Sequence, residues 1–487
     1  MSGSSGNDAS RRSRFETSDD VVVMKFGGTS VEDAAAIRRL TAIVASRSET
    51  LPVVVASALA KVTDQLIEAG IDAAKGRLGA GLAIVRDIYV RHERLAEELI
   101  AGAPQALLAR QLRGEFQELE SLLHRLEASR QFDLRAQDHL LSFGERLSSL
   151  LLAAALSEAG FHAVHVDAAA CIVTDSRHGQ ANPLWDVSNQ KLQNALLPLL
   201  ELKQMPVLGG FIASTGDGVP TTLGRGGSDL TASIVAAAVG AARVEIWTDV
   251  DGVMTADPKL CPDARVIRRM SFDEAAELAL LGAKVLHPAT LAPAMRENIP
   301  VYVLNSRQPE KEGTEIAARA RSGNEVSAIT TKRNIAAVEV EASGGIGSEL
   351  LRALYAAFDR HACLVDLMGT SVGKLSFVAG PTAALPEIAA QLEGVAALRW
   401  ENHKALVCVV GENLRRQPEL ASRLFAAVSD LEVRMMCQGA SDRTISILVD
   451  EAKVGEAVRR LHAIFFPPAR EPARDWGGIS AAFCQAG

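Results

Sequence analysis

Short runs of β-branched residues alternate with amphipathic stretches over residues 21–316, and this alternation restricts the fold more than any other feature. Five runs are typical of short buried strands: Val21–Met24, Val53–Val55, Ala163–Val166, Pro206–Leu208 and Val244–Trp247. Long helical patterns separate them, notably at 80–126 and 140–158. Strands that alternate with helices favour a mainly parallel sheet with helices on both faces. The sequence therefore predicts an α/β domain.

An internal repeat follows this region. Tyr355–Phe358 recurs as Phe425–Val428, and Gly369–Ser371 recurs as Gly439–Ser441, with one offset of 70 residues (425 − 355 and 439 − 369). Each copy has the pattern of strand, helix, strand, turn and strand, which suits a small α/β sandwich. Two copies at a constant offset indicate a duplicated module rather than a solenoid.

A chain of 487 residues is too long for one ordinary domain. The patterns predict a disordered extension at 1–20, an α/β domain at 21–320, small modules at 326–398 and 403–466, and a tail at 467–487. The polar, Gly-containing segment 319–326 is the predicted linker.

Composition argues against several classes of function. A formal net charge of −8 disfavours nucleic acid as the main partner, because phosphate-backbone binding needs a basic face. No uninterrupted apolar run approaches the roughly 20 residues that span a bilayer, so no membrane partner is expected. The six cysteines are scattered, without a C-x-x-C pair, and indicate neither a disulfide framework nor a zinc site. We expect a cytoplasmic protein.

A glycine turn follows the first predicted strand. Lys25–Ser30, with the sequence KFGGTS, leads into a helix that begins near Asp33. Glycines at a strand end let backbone N–H groups approach a phosphate, and a lysine adds a mobile positive charge. The two common nucleotide fingerprints, G-x-G-x-x-G and G-x-x-x-x-G-K-[ST], do not match this segment. A Gly-Gly pair alone is also consistent with an ordinary turn.

Two further clusters contain groups suited to anions and nucleotides. Thr221–Asp229 precedes a predicted helix, and its glycines permit an anion nest while Arg225 can bind a carboxylate with two hydrogen bonds. Asp229 is equally consistent with a residue that caps this helix. The turn-rich segment Trp247–Lys259 follows a strand and offers polar groups to a nucleotide. Its D-x-D-G string lacks the glutamate that a calcium loop requires at position 12, so calcium is not expected.

In order along the chain, these strings resemble the aspartokinases of the amino-acid kinase superfamily. Matching motifs lie at Lys25–Val31, Ser57–Thr63, Ser142–Glu145, Thr222–Asp229 and Gly282–Pro288. The resemblance runs from about residue 21 to residue 466. It implies the amino-acid-kinase fold, a mainly parallel sheet between helices, followed by paired ferredoxin-like ACT domains.

The resemblance implies that ATP phosphorylates the side-chain carboxylate of L-aspartate, with Mg²⁺ held mainly by the phosphates. A carboxylate is ionised at pH 7, so no general base is needed, and catalysis would rest on positioning and charge neutralisation. The implied catalytic residues are Lys25, Asp229 and Lys284. The two lysines would bracket the β- and γ-phosphates, and Asp229 would hold both ammonium groups.

Two sets of binding residues are implied as well. The nucleotide set is Lys25, Phe26, Gly27, Gly28, Thr248, Asp249, Met254, Lys259, Lys284 and Val285. The substrate set is Ser57, Thr63, Glu145, Arg225, Gly226, Gly227 and Ser228. Gly27 and Gly28 would offer backbone N–H groups to the γ-phosphate. Arg225 suits the α-carboxylate of aspartate, and Glu145 suits its α-ammonium.

Two positions depart from the family pattern. Met254 stands where many members carry a tyrosine near the nucleotide, so a thioether contact would replace or weaken ring stacking. Lys61 stands in the 57–63 loop where several members have glycine, and we expect it to alter the path of that loop.

The predicted effector site lies in the first repeat. Asp366, Thr370 and Ser371 end a strand and enter a turn, where one carboxylate and backbone groups can hold an amino acid. Met436 corresponds to Asp366 in the second repeat and cannot pair with an ammonium. Lysine-sensing relatives often have a glutamate after the Thr-Ser pair, whereas Val372 stands here. The effector is expected to be lysine or threonine, bound at an interface between subunits of a homodimer or larger assembly.

Two rival functions stay open at this point. A related kinase could act on an acylated glutamate or a nucleoside monophosphate, although the duplicated module argues against it. A catalytically silent amino-acid sensor would have no use for Lys25, Asp229 and Lys284 together. Whether the chain is part of a longer bifunctional enzyme is not decided by the sequence.

Overall fold

The computed structural model describes residues 20–283, 286, 288–320, 325–342 and 345–467, which form two compact units. The N-terminal unit contains residues up to 254 and from 266 onward, and the C-terminal unit contains 255–265 and the chain from 325 onward. The predicted domain at 21–320 is therefore interrupted by a segment that belongs to the C-terminal unit. The extension at 1–19 and the tail at 468–487 lie outside the described residues.

Eleven described strands and ten described helices build the N-terminal unit. The strands are β1 (Val21–Phe26), β2 (Leu51–Ala56), β3 (Ala163–Val166), β4 (Val173–Thr174), β5 (Met205–Gly209), β6 (Ile212–Thr215), β7 (Pro220–Thr222), β8 (Arg243–Thr248), β9 (Arg269–Met270), β10 (Val301–Asn305) and β11 (Thr314–Ile316). The helices are α1 (Ala34–Ala45), α2 (Val62–Ala74), α3 (Leu78–Leu99), α4 (Gly102–Ser129), α5 (Leu134–Glu158), α6 (Ala168–Cys171), α7 (Trp185–Glu201), α8 (Gly227–Val239), α9 (Phe272–Leu280) and α10 (Pro288–Arg296).

The main sheet has eight strands in the order β3-β5-β2-β1-β8-β10-β11-β9. Neighbouring strands run parallel except at β10 and β11, which are antiparallel. All six residues of β1 are buried, so both faces of the sheet are covered at its centre. The prediction of a mainly parallel sheet between helices is confirmed, and all five predicted strands are present.

The long helical pattern at 80–126 forms two helices rather than one. Helix α3 ends at Leu99, and α4 begins at Gly102, whose φ is +66°. Pro104 in the first turn of α4 has no N–H to donate to the preceding turn, so one helix cannot run through this point. Helix α5 is long and apolar enough to span a membrane, but 78% of its most apolar window is buried inside the protein, as in a core helix.

The C-terminal unit contains one six-stranded antiparallel sheet in the order β13-β14-β12-β15-β17-β16. Its strands are β12 (Val326–Glu341), β13 (Leu364–Ser371), β14 (Lys374–Gly380), β15 (Ala397–Gly411), β16 (Met435–Gln438) and β17 (Thr444–Asp450). Its helices are α11 (Ser348–Arg360), α12 (Leu385–Gln391), α13 (Pro418–Ala427) and α14 (Val454–Phe465). Strands β14 and β17 begin 70 residues apart (444 − 374), which confirms the repeat.

Strand β12 contributes residues to the hydrophobic cores of both copies. Val326 and Ile329, at the start of β12, pack in the core of the second copy, whereas Ala336 and Val338 pack in the core of the first. The predicted boundary at 326 is therefore wrong, because one long strand serves both modules. The first seven residues of β12 belong with the second copy, where they pair with β15 up to Gly411.

Candidate active site

A cavity of about 370 Å³ lies in the N-terminal unit, beyond the carboxyl ends of β1, β2 and β5. Ligands of open α/β sheets bind at this edge, where neighbouring strands deliver their following loops to one place. The cavity is lined by Lys25, Gly28, Ser57, Ala58, Leu59, Ala60, Lys61, Thr63, Asp64, Glu145, Phe211, Gly224, Gly226, Gly227, Ser228 and Asp229. Nine of the predicted site residues are in this set.

The Lys25–Asp229 ion pair crosses the cavity wall. Lys25 is the fifth residue of β1, and Asp229 lies in the first turn of α8. The Lys25 Nζ is 2.6 Å from Asp229 Oδ1, and the side chains are only 11% and 14% exposed. A buried charge needs a partner, so each group fixes the position of the other at the cavity. The alternative that Asp229 only caps a helix is not supported, because its carboxylate pairs with Lys25.

The loop at 57–61 packs closely on the glycine turn. The Ser57 N–H donates to Phe26 O at 3.1 Å, and the Ala60 N–H donates to Gly28 O at 3.2 Å. A Cβ on Gly28 would lie 3.0 Å from Ala58 O, so a side chain here would crowd the backbone of the 57–61 loop. The Gly27 N–H donates to Trp247 O at 3.0 Å. The predicted role of the Gly27 N–H toward a phosphate is therefore wrong. Of the two predicted N–H groups, only that of Gly28 keeps this proposed role.

Glu145 supplies a buried carboxylate to the cavity. It lies in the middle of α5, is 4% exposed, and its Oε2 has no hydrogen-bond partner among the described residues. Burial raises the pKa of the Glu145 carboxyl to about 8, although the backbone N–H of Ala58 and the charge of Lys25 act in the opposite direction. An unpaired buried acceptor beside a cavity suits a ligand with an ammonium group.

The buried carboxylate of Asp138 fixes the residue that precedes the glycine loop at 223–227. Asp138 accepts hydrogen bonds from the Gly179 N–H at 2.9 Å, from His178 Nδ1 at 2.8 Å and from the Thr222 hydroxyl. Sequence reasoning missed Asp138, although it precedes Glu145 by seven residues, two turns of the same helix. Arg225 is exposed and does not line the cavity, unlike the glycines on both sides of it.

The predicted nucleotide residues are not all brought together. Phe26 is fully buried and stacks on Trp247 with ring centroids 6.2 Å apart, so its side chain cannot contact a ligand. Thr248, Asp249 and Met254 belong to the N-terminal unit but do not line the cavity. Lys259 is exposed and belongs to the C-terminal unit. Lys284 and Val285 lie outside the described residues, so their predicted roles stay predictions.

Other residues near the strand ends were not predicted. Phe211 lines the cavity with a φ of +65°, and the Gly-Gly pair before it, at the end of β5, was the available signal. The hydroxyls of Ser30 and Ser306 are 2.8 Å apart and join the glycine turn to the end of β10. In the described ranges, no group of three or more His, Cys, Asp or Glu is placed to hold a metal ion.

The predicted effector carboxylate already has an ammonium partner. In the C-terminal unit, Lys332 Nζ lies 2.9 and 2.7 Å from the two carboxylate oxygens of Asp366, and both side chains are about a quarter exposed. Thr370 and Ser371 are exposed on the same edge strand, β13. The arrangement shows that Asp366 can bind an ammonium, which here is supplied by the chain itself.

Comparison with known proteins identifies the protein family of this chain. Residues 20–305 match the amino acid kinase family, and residues 407–465 match the ACT domain. The chain is 34% identical over 475 residues to aspartokinase 3, chloroplastic, of Arabidopsis thaliana, which covers 91% of this chain and 81% of that protein. It is 33% identical over 462 residues to lysine-sensitive aspartokinase 3 of Escherichia coli K12, with 92% and 99% covered.

Solved structures agree with these relatives. E. coli aspartokinase III in complex with aspartate and ADP, in its R-state, is similar with a TM-score of 0.81 and 31% identity, covering 92% of this chain and all of that one (100%). The same enzyme in complex with lysine and aspartate, in its T-state, gives a TM-score of 0.77. The chain therefore belongs to the aspartokinases of the amino acid kinase family.

Proposed function

We propose that this chain is an aspartate kinase, which transfers the γ-phosphoryl group of ATP to the side-chain carboxylate of L-aspartate. The product is 4-phospho-L-aspartate, the first intermediate of aspartate-family amino-acid biosynthesis. One observation carries the proposal: the paired Lys25 and Asp229 line the same cavity as Glu145, whose Oε2 has no hydrogen-bond partner among the described residues. The Lys25 ammonium suits the phosphates of ATP, and the buried Glu145 carboxyl group suits the α-ammonium of aspartate.

The chemistry joins two anions. One oxygen of the substrate carboxylate bonds to the γ-phosphorus, the bond to the β,γ-bridging oxygen breaks, and ADP leaves with the electron pair. Lys25, fixed by Asp229, places positive charge where the anions meet, while Gly28 lets the phosphoryl group approach the backbone. Glu145 binds the α-ammonium, and Ser57 and Thr63 orient the remaining polar edges of the substrate. No residue has to remove a proton, because the nucleophile is already ionised at pH 7.

Mg²⁺ would neutralise part of the charge of the phosphates during transfer. We assign it no protein ligand and expect the phosphates to hold most of it. The second lysine of the phosphate site is proposed to be Lys284, with Val285 beside it. The nucleotide would extend toward Thr248, Asp249 and Met254 of the N-terminal unit, and the role of Lys259 stays a prediction.

The test of this function is an assay with hydroxylamine, which traps acyl phosphates as hydroxamates. With Mg²⁺ and ATP, L-aspartate is expected to give a hydroxamate, while N-acetylglutamate and L-glutamate give none. Phosphorylation of N-acetylglutamate or of a nucleoside monophosphate instead would favour the related kinases considered above. Amino-acid binding without turnover of any of these substrates would favour the silent sensor.

Arg225→Lys is expected to raise the KM for aspartate at least tenfold and to leave the KM for ATP nearly unchanged. Lysine keeps the charge but cannot make two parallel hydrogen bonds to the α-carboxylate. Gly224 and Gly226, the neighbours of Arg225, line the cavity, so Arg225 lies in a loop at its edge. Steady-state kinetics with each substrate varied in turn check this, with the exposed Arg177→Lys as control. Equal increases in both KM values would assign Arg225 to the phosphates.

The raised pKa of Glu145 predicts a pH dependence of aspartate use. Below pH 8 the buried carboxyl is mostly protonated in the free protein, and only the ionised form can pair with an ammonium. The kcat/KM for aspartate, measured at saturating ATP, should therefore rise as pH increases from about 6.5, reach half of its maximum near pH 8 and level off above about pH 9. Glu145→Gln should lower kcat/KM and remove the rise. A wild-type profile that is flat over this range would contradict the role of Glu145.

Feedback inhibition by an end-product amino acid, lysine or threonine, is proposed at Asp366, Thr370 and Ser371. The E. coli relative is named as lysine-sensitive. A homodimer or larger assembly through the ACT domains is supported by β13, an edge strand that begins at Leu364, which is 66% exposed, and is followed directly by Val372, which is 99% exposed. An exposed apolar edge strand favours pairing with a second copy. The cytoplasmic placement stays a prediction.

A further inference from the structure

Lys61 lines the active-site cavity in an unusual backbone conformation. It precedes α2 as its N-cap residue and has a φ of +71°. This left-handed region is disfavoured for residues with a Cβ, whereas glycine adopts it freely. Strained residues of this kind concentrate at functional sites, where the surrounding structure enforces them.

The surroundings of Lys61 do enforce its position. The preceding residue, Ala60, is bonded through its N–H to Gly28 O at 3.2 Å and through its carbonyl to Arg91 Nη1 at 2.7 Å. The Lys61 carbonyl accepts from the Gln65 N–H at 3.0 Å as α2 begins. The glycine turn, α3 and α2 therefore fix the Cα from which the Lys61 side chain starts.

The charges that line the cavity leave Lys61 without a partner. The charged residues of the lining are Lys25, Lys61, Asp64, Glu145 and Asp229. Lys25 is already paired with Asp229. Within the described part of the chain, no ion pair includes Lys61, and its side chain is exposed. An unpaired ammonium at a cavity attracts an anionic ligand.

We propose that the Lys61 ammonium binds the negative charge that collects where the substrate carboxylate meets the γ-phosphoryl group. Lys61 is thus a further catalytic residue, and this inference rests on the proposed aspartate kinase function. Both anions need charge compensation before they can approach, and Lys25 shares its own charge with Asp229. Lys61, a second cation that lies on the 57–61 loop, offsets the remaining repulsion between the substrate carboxylate and the γ-phosphoryl group.

The variant Lys61→Gly separates a loss of activity from a loss of stability. Glycine relieves the left-handed backbone, so the melting temperature should stay equal or rise, while kcat/KM for aspartate falls about tenfold. Lys61→Arg should retain most of the activity. Lys203→Gly is the matched control, because Lys203 is an exposed lysine with a φ of +55° that does not line the cavity. It should gain stability in the same way and keep full activity.

The assay separates this inference from the proposed function. Hydroxamate formation by the wild type, together with Lys61→Gly activity within twofold of it, would overturn the role of Lys61. Calorimetric titration of L-aspartate in the presence of ADP gives a readout that does not need turnover. Wild-type protein that neither binds aspartate nor forms hydroxamate would overturn the proposed function, and with it this role. A loss in kcat alone would place Lys61 on the transferring phosphoryl group, and a loss in aspartate affinity would place it on the carboxylate.

Discussion

Replacing Lys25 with alanine is expected to lower kcat by about 10²–10³-fold, which corresponds to roughly 3–4 kcal/mol of transition-state stabilisation. The ammonium lies at the end of the central strand, and Asp229 holds it at 2.6 Å inside a largely buried wall of the cavity. Water cannot replace a cation that is already oriented toward the reacting groups. Single-turnover measurements with saturating Mg²⁺-ATP and aspartate report this loss directly.

The stability of this variant needs its own control. Removing Lys25 leaves the Asp229 carboxylate buried at 14% exposure without its partner, which is destabilising. The double variant Lys25→Ala/Asp229→Ala removes the unpaired charge and should unfold at a higher temperature than the single variant. It should remain as inactive. A folded Lys25→Ala protein with kcat within tenfold of the wild type would remove Lys25 from the phosphate site.

Asp366→Ala is expected to abolish feedback inhibition at effector concentrations that inhibit the wild type, because the half-maximal concentration should rise by about 10–100-fold. A hydrogen-bonded ionic contact to an effector ammonium contributes about 1.5–3 kcal/mol, and alanine cannot make it. The kcat without effector should change little, because an effector acts only through its different affinity for two states. Inhibition curves with lysine and with threonine check both statements. Asp450→Ala is the matched control, since Asp450 pairs with Lys404 in the second copy.

Lys332 makes this prediction sharper, because its ammonium must leave Asp366 before an effector can bind there. Lys332→Met removes the competing group and should lower the half-maximal concentration about two- to fivefold, as expected for a partly exposed ion pair. The two variants therefore shift inhibition in opposite directions. If Asp366→Ala is inhibited like the wild type, the effector binds elsewhere. An unchanged response of Lys332→Met would mean that the pair is not displaced.

Local patterns predicted the parts of the fold that depend on neighbours in sequence. β-branched runs such as Val21–Met24 form strands because burial on both faces of a parallel sheet selects them. The constant 70-residue offset of the repeat is present in the strands that begin at Lys374 and Thr444. The pairing of Lys25 with Asp229 followed from the family motifs, and the structure places both at one cavity.

Contacts between distant residues were beyond such patterns. Lys332 precedes Asp366 by 34 residues, and only the sheet brings their charges together. The share of β12 that belongs to the second copy depends on its pairing with β15, which no local signal indicates. The Gly27 N–H was expected to be free for a phosphate, but the neighbouring strand β8 accepts its hydrogen bond through Trp247. In each case the partner is determined by packing rather than by adjacent residues.

The most direct test of the central claim identifies which carboxylate of aspartate is phosphorylated. Borohydride reduces an acyl phosphate to an alcohol, so the product formed from Mg²⁺-ATP and L-aspartate can be trapped and identified by mass spectrometry and chromatography. Phosphorylation of the side-chain carboxylate predicts homoserine, formed in proportion to the ADP released. The isomer 3-amino-4-hydroxybutanoate, or ADP release without any alcohol, would contradict the account.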